Sequence, residues 1–297
     1  MLRKEFLLIA VVLFGAIGIA VAAGPVVEDD LTVEKEPQAA GSSLHGNIGI
    51  TYDTKYMFRG FTVYGDKSAI HPFIDLDLMG TGFHLEVIAH RANSSGYENG
   101  ERWDYSPYYL GAFGVDQRWE TRYKVGWRYF NYPDNSSHTR NSVDLQEVYA
   151  GFAFPKLFGV EGLVPSYVVV KGWPSNSGTV VGAANLNGGT YSGFAHVFML
   201  DYALPVKGLF SETSEQTFNF HVETVYNDGV DPRPMGGYTD SDWTHVVLGV
   251  STDFDLGHSL TFTPGVYHQI TMEDDPVKGV SPDHNITWAS LTVKYTF

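Results

Sequence analysis

Residues 117–130 divide cleanly by parity. Trp119, Thr121, Tyr123, Val125, Trp127 and Tyr129 take one parity, and Arg118, Glu120, Arg122, Lys124 and Arg128 the other. A β-strand sends successive side chains to opposite faces, so this stretch reads as a ribbon with one aromatic face and one charged face. In a soluble sandwich the charged face would meet water and the aromatic face would need a core. In a membrane barrel the aromatic face meets lipid and the charged face lines the lumen. No helical pattern elsewhere in the chain could cover the aromatic face, and aromatics stand near both ends of the ribbon, where membrane interfaces attract them. The expected fold is therefore all-β, a transmembrane antiparallel up-and-down β-barrel.

The alternation recurs along the chain. In 47–55, Ile48, Ile50 and Tyr52 oppose Asn47, Thr51, Asp53 and Lys55. In 83–90, Phe83, Leu85, Val87 and Ala89 oppose His84, Glu86 and His90. Similar patterns occupy 70–78, 217–226 and 260–271, whereas 163–173 and 191–204 are apolar on both faces. About twelve strands follow, at 44–58, 68–79, 82–92, 104–115, 117–131, 142–154, 163–173, 189–204, 216–228, 242–255, 258–272 and 284–297; bacterial barrels of a single chain carry even numbers. Tight links near 79–82, 115–117 and 256–258 alternate with longer polar ones near 93–103, 132–141, 174–188, 229–241 and 273–283. In a bacterial outer membrane the short turns face the periplasm, which places both termini there too.

Three segments are expected. Arg3 and Lys4 precede the apolar run Phe6 to Ala20, and Ala20-Val21-Ala22 offers small residues for cleavage. Residues 1–22 thus read as a signal peptide. Residues 23–43 hold Glu28, Asp29, Asp30 and Glu34 without apolar periodicity and read as an acidic, disordered periplasmic tail. The barrel takes 44–297. A formal charge of −15 argues against nucleic-acid partners. The absence of cysteine excludes disulfides, thiolate metal sites, thiol nucleophiles and a lipoprotein anchor.

The chain ends on Phe297, with Tyr295, Val293 and Leu291 at alternate positions before it. This looks like the terminal signal that outer-membrane barrels present to the barrel-assembly machinery, an exposed edge strand ready to pair. Tyr56-Met57-Phe58-Arg59-Gly60, following Gly49-Ile50-Thr51-Tyr52-Asp53, resembles the first-strand motif of an uncharacterised bacterial outer-membrane β-barrel family with a Tyr-x-Phe-Arg-Gly signature. Glu147-Val148-Tyr149-Ala150-Gly151 is similar to that family's mid-barrel strand. The resemblance implies an outer-membrane barrel and supplies no substrate.

The charges expected to line the lumen are Arg118, Glu120, Arg122, Lys124 and Arg128, with Glu86, Glu147, Glu223, Asp75 and Asp77 as an acidic counterweight. Such a lining selects permeant ions or polar solutes, or else forms salt bridges that close a narrow barrel. Arg59 either enters the lumen beside Phe58 or caps the first loop. His84, His90, His196, His221 and His245 lack metal-ligand spacing, so no metal or cofactor is expected. His258 and Ser259 are adjacent and no nucleophile elbow occurs, so no enzyme is expected. The acidic loops read as solvated. The leading function is a passive channel for small polar solutes or ions, in contact with outer-membrane lipid and lipopolysaccharide. The alternatives are a closed structural or surface-interaction barrel and a lipid-modifying membrane enzyme.

Overall fold

A computed structural model describes residues 44–134, 144–175, 193–207, 215–229, 241–272 and 285–297. The expected signal peptide, the acidic tail and the tips of several long links lie outside the described residues. The strands in chain order are β1 (His45–Asp53), β2 (Met57–Phe58), β3 (Phe61–Thr62), β4 (Ala69–Asp77), β5 (Phe83–Ala92), β6 (Arg102–Phe113), β7 (Thr121–Asn131) and β8 (Leu145–Ala153). They continue with β9 (Leu163–Pro174), β10 (Gly193–Lys207), β11 (Glu215–Asp228), β12 (Asp242–Thr252), β13 (Phe254–Asp255), β14 (Leu260–Thr271) and β15 (Ile286–Thr296).

Each wall strand pairs antiparallel with its neighbour in sequence, and β1 pairs with both β4 and β15. β12 and the short β13 both pair with β14 and share one place in the wall, giving a closed barrel of 12 strands. Closure removes the free edges of the wall, the condition for strands to cross a membrane. At the seam the Gly46 and Phe297 amides each donate to the other residue's carbonyl at 3.0 Å.

The outer surface has the banding that a bilayer requires. Ile48, Ile50, Leu85, Val125, Val148, Leu200, Leu291 and Val293 project outward and stay exposed. Aromatics flank this apolar band. At the long-link end Trp127 stacks on Tyr129 at 6.0 Å, and Tyr226 meets Trp243 at 5.4 Å. At the turn end Phe83 meets Tyr109 at 5.0 Å, and Tyr295 stacks on Phe297 at 6.3 Å. Two aromatic girdles around an apolar belt mark a membrane-spanning barrel.

Two expected strands are shorter than their sequence pattern. The first ends at Asp53 rather than 58. There Thr54 bonds the wall through its amide to the Ala289 carbonyl at 2.7 Å, and the chain then turns into the barrel. The ribbon expected from 117 starts at Thr121, because residues 114–120 form a turn with positive φ at Gly114 and Asp116. The segments that were apolar on both faces, β9 and β10, have a physical reason for it. Their inward Val168, Val170, Ala195, Val197 and Met199 pack with Tyr108, Tyr149 and Val225 in one buried cluster. The interior is thus charged around β4–β8 and apolar over the stretch of β9–β10 that carries this cluster.

Candidate functional site

Between β1 and β4 the chain makes a hairpin inside the lumen. Phe58 pairs with Phe61 and Met57 with Thr62, leaving Arg59 and Gly60 as a two-residue loop. Their φ values are 46° and 88°. Two-residue hairpin loops of this kind need positive φ at both central positions, because that twist matches the flanking strands. Glycine adopts it freely; for arginine it costs roughly 1–2 kcal/mol. Something must hold Arg59 in place, and the barrel wall supplies it.

The Arg59 guanidinium donates to Glu147 on β8, a carboxylate with no solvent exposure. Glu147 also takes Arg128 of β7 at 3.3 Å, and Arg128 Nε donates to Ser106 Oγ at 3.0 Å. On the opposite wall Gln269 of β14 donates to the Gly60 carbonyl at 2.8 Å. A Cβ on Gly60 would stand 2.8 Å from the His245 ring on β12. Met57 packs on Val247, Tyr267 and Trp288, and Phe58 meets Phe130 edge-on at 5.9 Å. Arg102 of β6 lies over both the Phe58 and Phe130 rings, at 4.3 and 4.5 Å. The hairpin therefore spans the bore from β6–β8 to β12–β15.

Its root is held by a buried polar chain. Tyr56 stacks on the His90 ring at 4.9 Å and lies 4.7 Å from His71; its hydroxyl accepts from Arg102 at 2.8 Å. His71 of β4 and His90 of β5 meet Nδ1 to Nδ1 at 2.9 Å. The outer nitrogens face carboxylates: His71 Nε2 is 3.1 Å from Asp53, and His90 Nε2 is 3.1 Å from Asp104. Arg102 pairs with Asp104 at 2.7 Å. Tyr64, past the hairpin, donates to the His90 carbonyl at 2.9 Å. Burial pushes the Tyr64 phenol well above its ordinary range, the Arg102 charge opposing only in part, so it stays a donor.

The sequence-predicted residues fall in three places. Arg59, Glu147 and Arg128 meet at the hairpin tip. Lys124, Asp75, Asp77, Glu86, Glu223 and Arg122 stand on inward positions of the wall. Among them Lys124 lies over the Tyr108 ring at 4.1 Å, and Tyr108 donates to Asp75 at 2.8 Å. Asp77 accepts the Gly80 amide in the adjoining turn at 2.7 Å, and Glu223 lies 3.7 Å from His245. Arg118 and Glu120 leave the expected ladder. Arg118 is exposed in the 114–120 turn, because that turn displaces it from the strand. Glu120 ends the turn, bound by Lys156 at 2.7 Å, Arg122 at 3.3 Å and the Asp116 amide at 3.1 Å. Hydrogen bonding to Lys156 holds its carboxyl below the ordinary range.

Of the other expected histidines, His84 stacks on Tyr108 at 4.7 Å, and His221 contacts Asp201 at 2.7 Å, both on lumen positions. His196 takes the outer face, bonded to Tyr167 at 2.7 Å near the girdle. His258 and Ser259 are exposed in a turn. Sequence reasoning missed Tyr56, His71, Arg102 and Asp104 as a unit. The available signal was the inward parity of His71 with Asp53 and of His90 with Arg102 and Asp104, on strands whose pairing makes them neighbours.

Neither a family model nor a curated protein matches the chain. Solved structures similar to it include the NanC porin, at TM-score 0.48 and 9% identity over 85% of this chain and 100% of that one. The KdgM porin is similar at TM-score 0.47 and 11% identity, over 84% of this chain and 99% of that one. An outer-membrane channel from Pseudomonas putida F1 is similar at TM-score 0.47 and 10% identity, over 89% and 100% of the two chains. Identity this low leaves substrate and site to be read from this chain's own residues.

Proposed function

We propose that this chain is an outer-membrane channel for small polar solutes or ions, with its bore set by the 57–62 hairpin. The observation that carries this reading is the hairpin itself, folded into the lumen and tied to both walls. An eight-stranded barrel is wide enough only for its own side chains, and diameter grows with strand number. A barrel of 12 strands has room to spare, and here a backbone segment occupies part of it. The charges at the hairpin tip, Arg59, Arg128 and Glu147, would set which solutes pass, with Arg122, Lys124, Asp75, Asp77, Glu86 and Glu223 shaping the field along the bore.

In this reading the turn end and both termini face the periplasm, and the long links meet lipopolysaccharide. The Leu291, Val293, Tyr295 and Phe297 series serves as the assembly signal. The Tyr56–Gly60 motif marks the hairpin rather than the first strand.

The test is planar-bilayer recording of the refolded mature protein beside a variant in which 57–62 is replaced by a glycine–serine link. The expected result is small discrete conductance for the native chain and several-fold larger steps for the variant. Silence from both, with each shown to be folded, would leave the closed structural barrel instead.

A further inference from the structure

The charges that face the bore sort by burial. Among the described wall strands and the hairpin, the buried ones cancel: Arg59, Arg102, Lys124 and Arg128 stand against Asp53, Glu86, Asp104 and Glu147. Burial enforces that balance, because an uncompensated charge out of water is strongly penalised. Charges that meet water are under no such rule. Between hairpin depth and the turn end, the partly exposed acids on inward positions are Asp75, Asp77, Asp201 and Glu223, and the cations are Arg122 and Lys294.

Each of these cations has an acid beside it. Arg122 Nε pairs with Glu120 at 3.3 Å. Lys294 lies across Thr261 from the exposed Asp255. At the rim, Lys207 is in register with Glu215. The acids are held differently. Asp201 and Glu223 flank His221, at 2.7 and 3.9 Å, and Glu223 is 3.7 Å from His245. Asp75 accepts from Tyr108 at 2.8 Å and is 3.5 Å from His84. A neutral imidazole or phenol orients a carboxylate without cancelling its charge. Even an imidazolium at His221 would leave acids in excess. The side chains of Asp201, His221 and Glu223 are 21%, 22% and 22% exposed, so their charge is met by whatever fills the bore. Low-dielectric walls focus such a field.

We propose that the channel prefers cations: the bore between the hairpin and the turn end carries an excess of negative charge, set chiefly by Asp201 and Glu223, and takes small solutes bearing an ammonium or guanidinium group ahead of anions. The inference rests on the channel reading and names its solute class. Acidic side chains lining a pore select cations in this way. Asp201 and Glu223 lead because they stand beside the hairpin tip: His245, the neighbour of Glu223, also backs Gly60.

The chain has no cysteine, so Asn219→Cys on β11 places a unique thiol at an inward, partly exposed position beside His221 on the same face. Gln117→Cys, between Asp116 and Arg118 in the exposed 114–120 turn, is the reference. The probes are two methanethiosulfonates, one carrying a trimethylammonium group and one a sulfonate, applied to the full refolded barrel at low salt and about pH 8, where an ordinary imidazole is neutral. The cation-to-anion ratio of labelling rates at Asn219→Cys should exceed that at Gln117→Cys about sevenfold, as a potential of about −1 kT acting oppositely on the two probes gives. It should fall toward one in about 1 M salt, where the Debye length is ~3 Å. Asp201→Asn and Glu223→Gln together should also bring it near one. A native ratio at or below one, a ratio that survives high salt, or no labelling of Asn219→Cys by either probe overturns the proposal. So does a ratio unmoved in a folded double variant. Should the double variant not fold, the native ratio and its salt dependence decide the matter. Labelling needs water in the lumen and not conduction. A silent bilayer beside the expected ratio therefore defeats the channel reading and leaves a cation-attracting lumen, whereas a conducting barrel with a ratio of one defeats this inference alone.

Discussion

Arg59 shows how one residue's strain is matched by its surroundings. It holds φ at 46°, a conformation unfavourable for any side chain with a Cβ, and is kept there by Glu147 on the facing wall. Removing one partner of a buried ion pair leaves the other uncompensated. Glu147→Ala should therefore destabilise the barrel by about 3–5 kcal/mol in urea titrations followed by tryptophan fluorescence, because Arg59 and Arg128 both lose their carboxylate. A milder lesion is available next door. Gly60→Ala forces a left-handed alanine at φ 88° and pushes a methyl toward His245. It should cost about 1–2 kcal/mol, measured the same way. Equal stability of Gly60→Ala and native protein would show that the hairpin does not stay seated.

At the scale of elements, the barrel is built of strands whose ends are fixed by specific bonds and not by their alternation. Parity continues through 54–58 and through 117–120, yet neither stretch belongs to the wall. In the first, Thr54 is caught by Ala289 and the aromatics that follow find burial inside the lumen instead of against lipid. In the second, Glu120 gathers Lys156, Arg122 and the Asp116 amide and locks the turn. Its carboxyl titrates below the ordinary range, so its contribution is present above the unfolded carboxylate's pKa and is lost as pH falls through the lower folded value. The stability difference between native protein and Glu120→Gln should thus be constant near neutrality, begin to fall near the ordinary carboxylate value of about pH 4, and vanish only below the lower folded value. A difference that persists undiminished in strong acid would assign the effect to something other than this carboxylate.

For the whole molecule, the two faces of the same strand live in different solvents. Val125 sits mid-strand on the lipid side of β7, between the inward Lys124 and Gly126. An arginine there would meet hydrocarbon, which costs about 2–4 kcal/mol at the bilayer midplane and much less near an interface. Val125→Arg should therefore unfold at lower denaturant than Val115→Arg, which falls in the exposed 114–120 turn. Comparable midpoints for the two would argue against a membrane-spanning face. The seam adds a second constraint at this scale, since Phe297 and its partner Gly46 come from the last and first wall strands and their bonds close the barrel.

What the sequence determined alone was the wall: strand number, parity, the lipid face, and an aromatic last strand. All of these follow from period-two alternation and local turn chemistry, which act over a few residues. Arg128 and Glu147 were legible as inward charges because parity alone places them. Their meeting with Arg59 was not, because the partners are 88 residues apart in one case and bound only through barrel closure. The same holds for Asp53, His71, His90 and Asp104, which come from β1, β4, β5 and β6 and become one chain only when those strands lie side by side. Only tertiary structure decided that the Tyr-Met-Phe-Arg-Gly stretch leaves the wall and enters the bore. The reason is physical: whether an aromatic side chain is better buried in lipid or in a lumen depends on what else lines that lumen, and no local stretch of sequence contains that information.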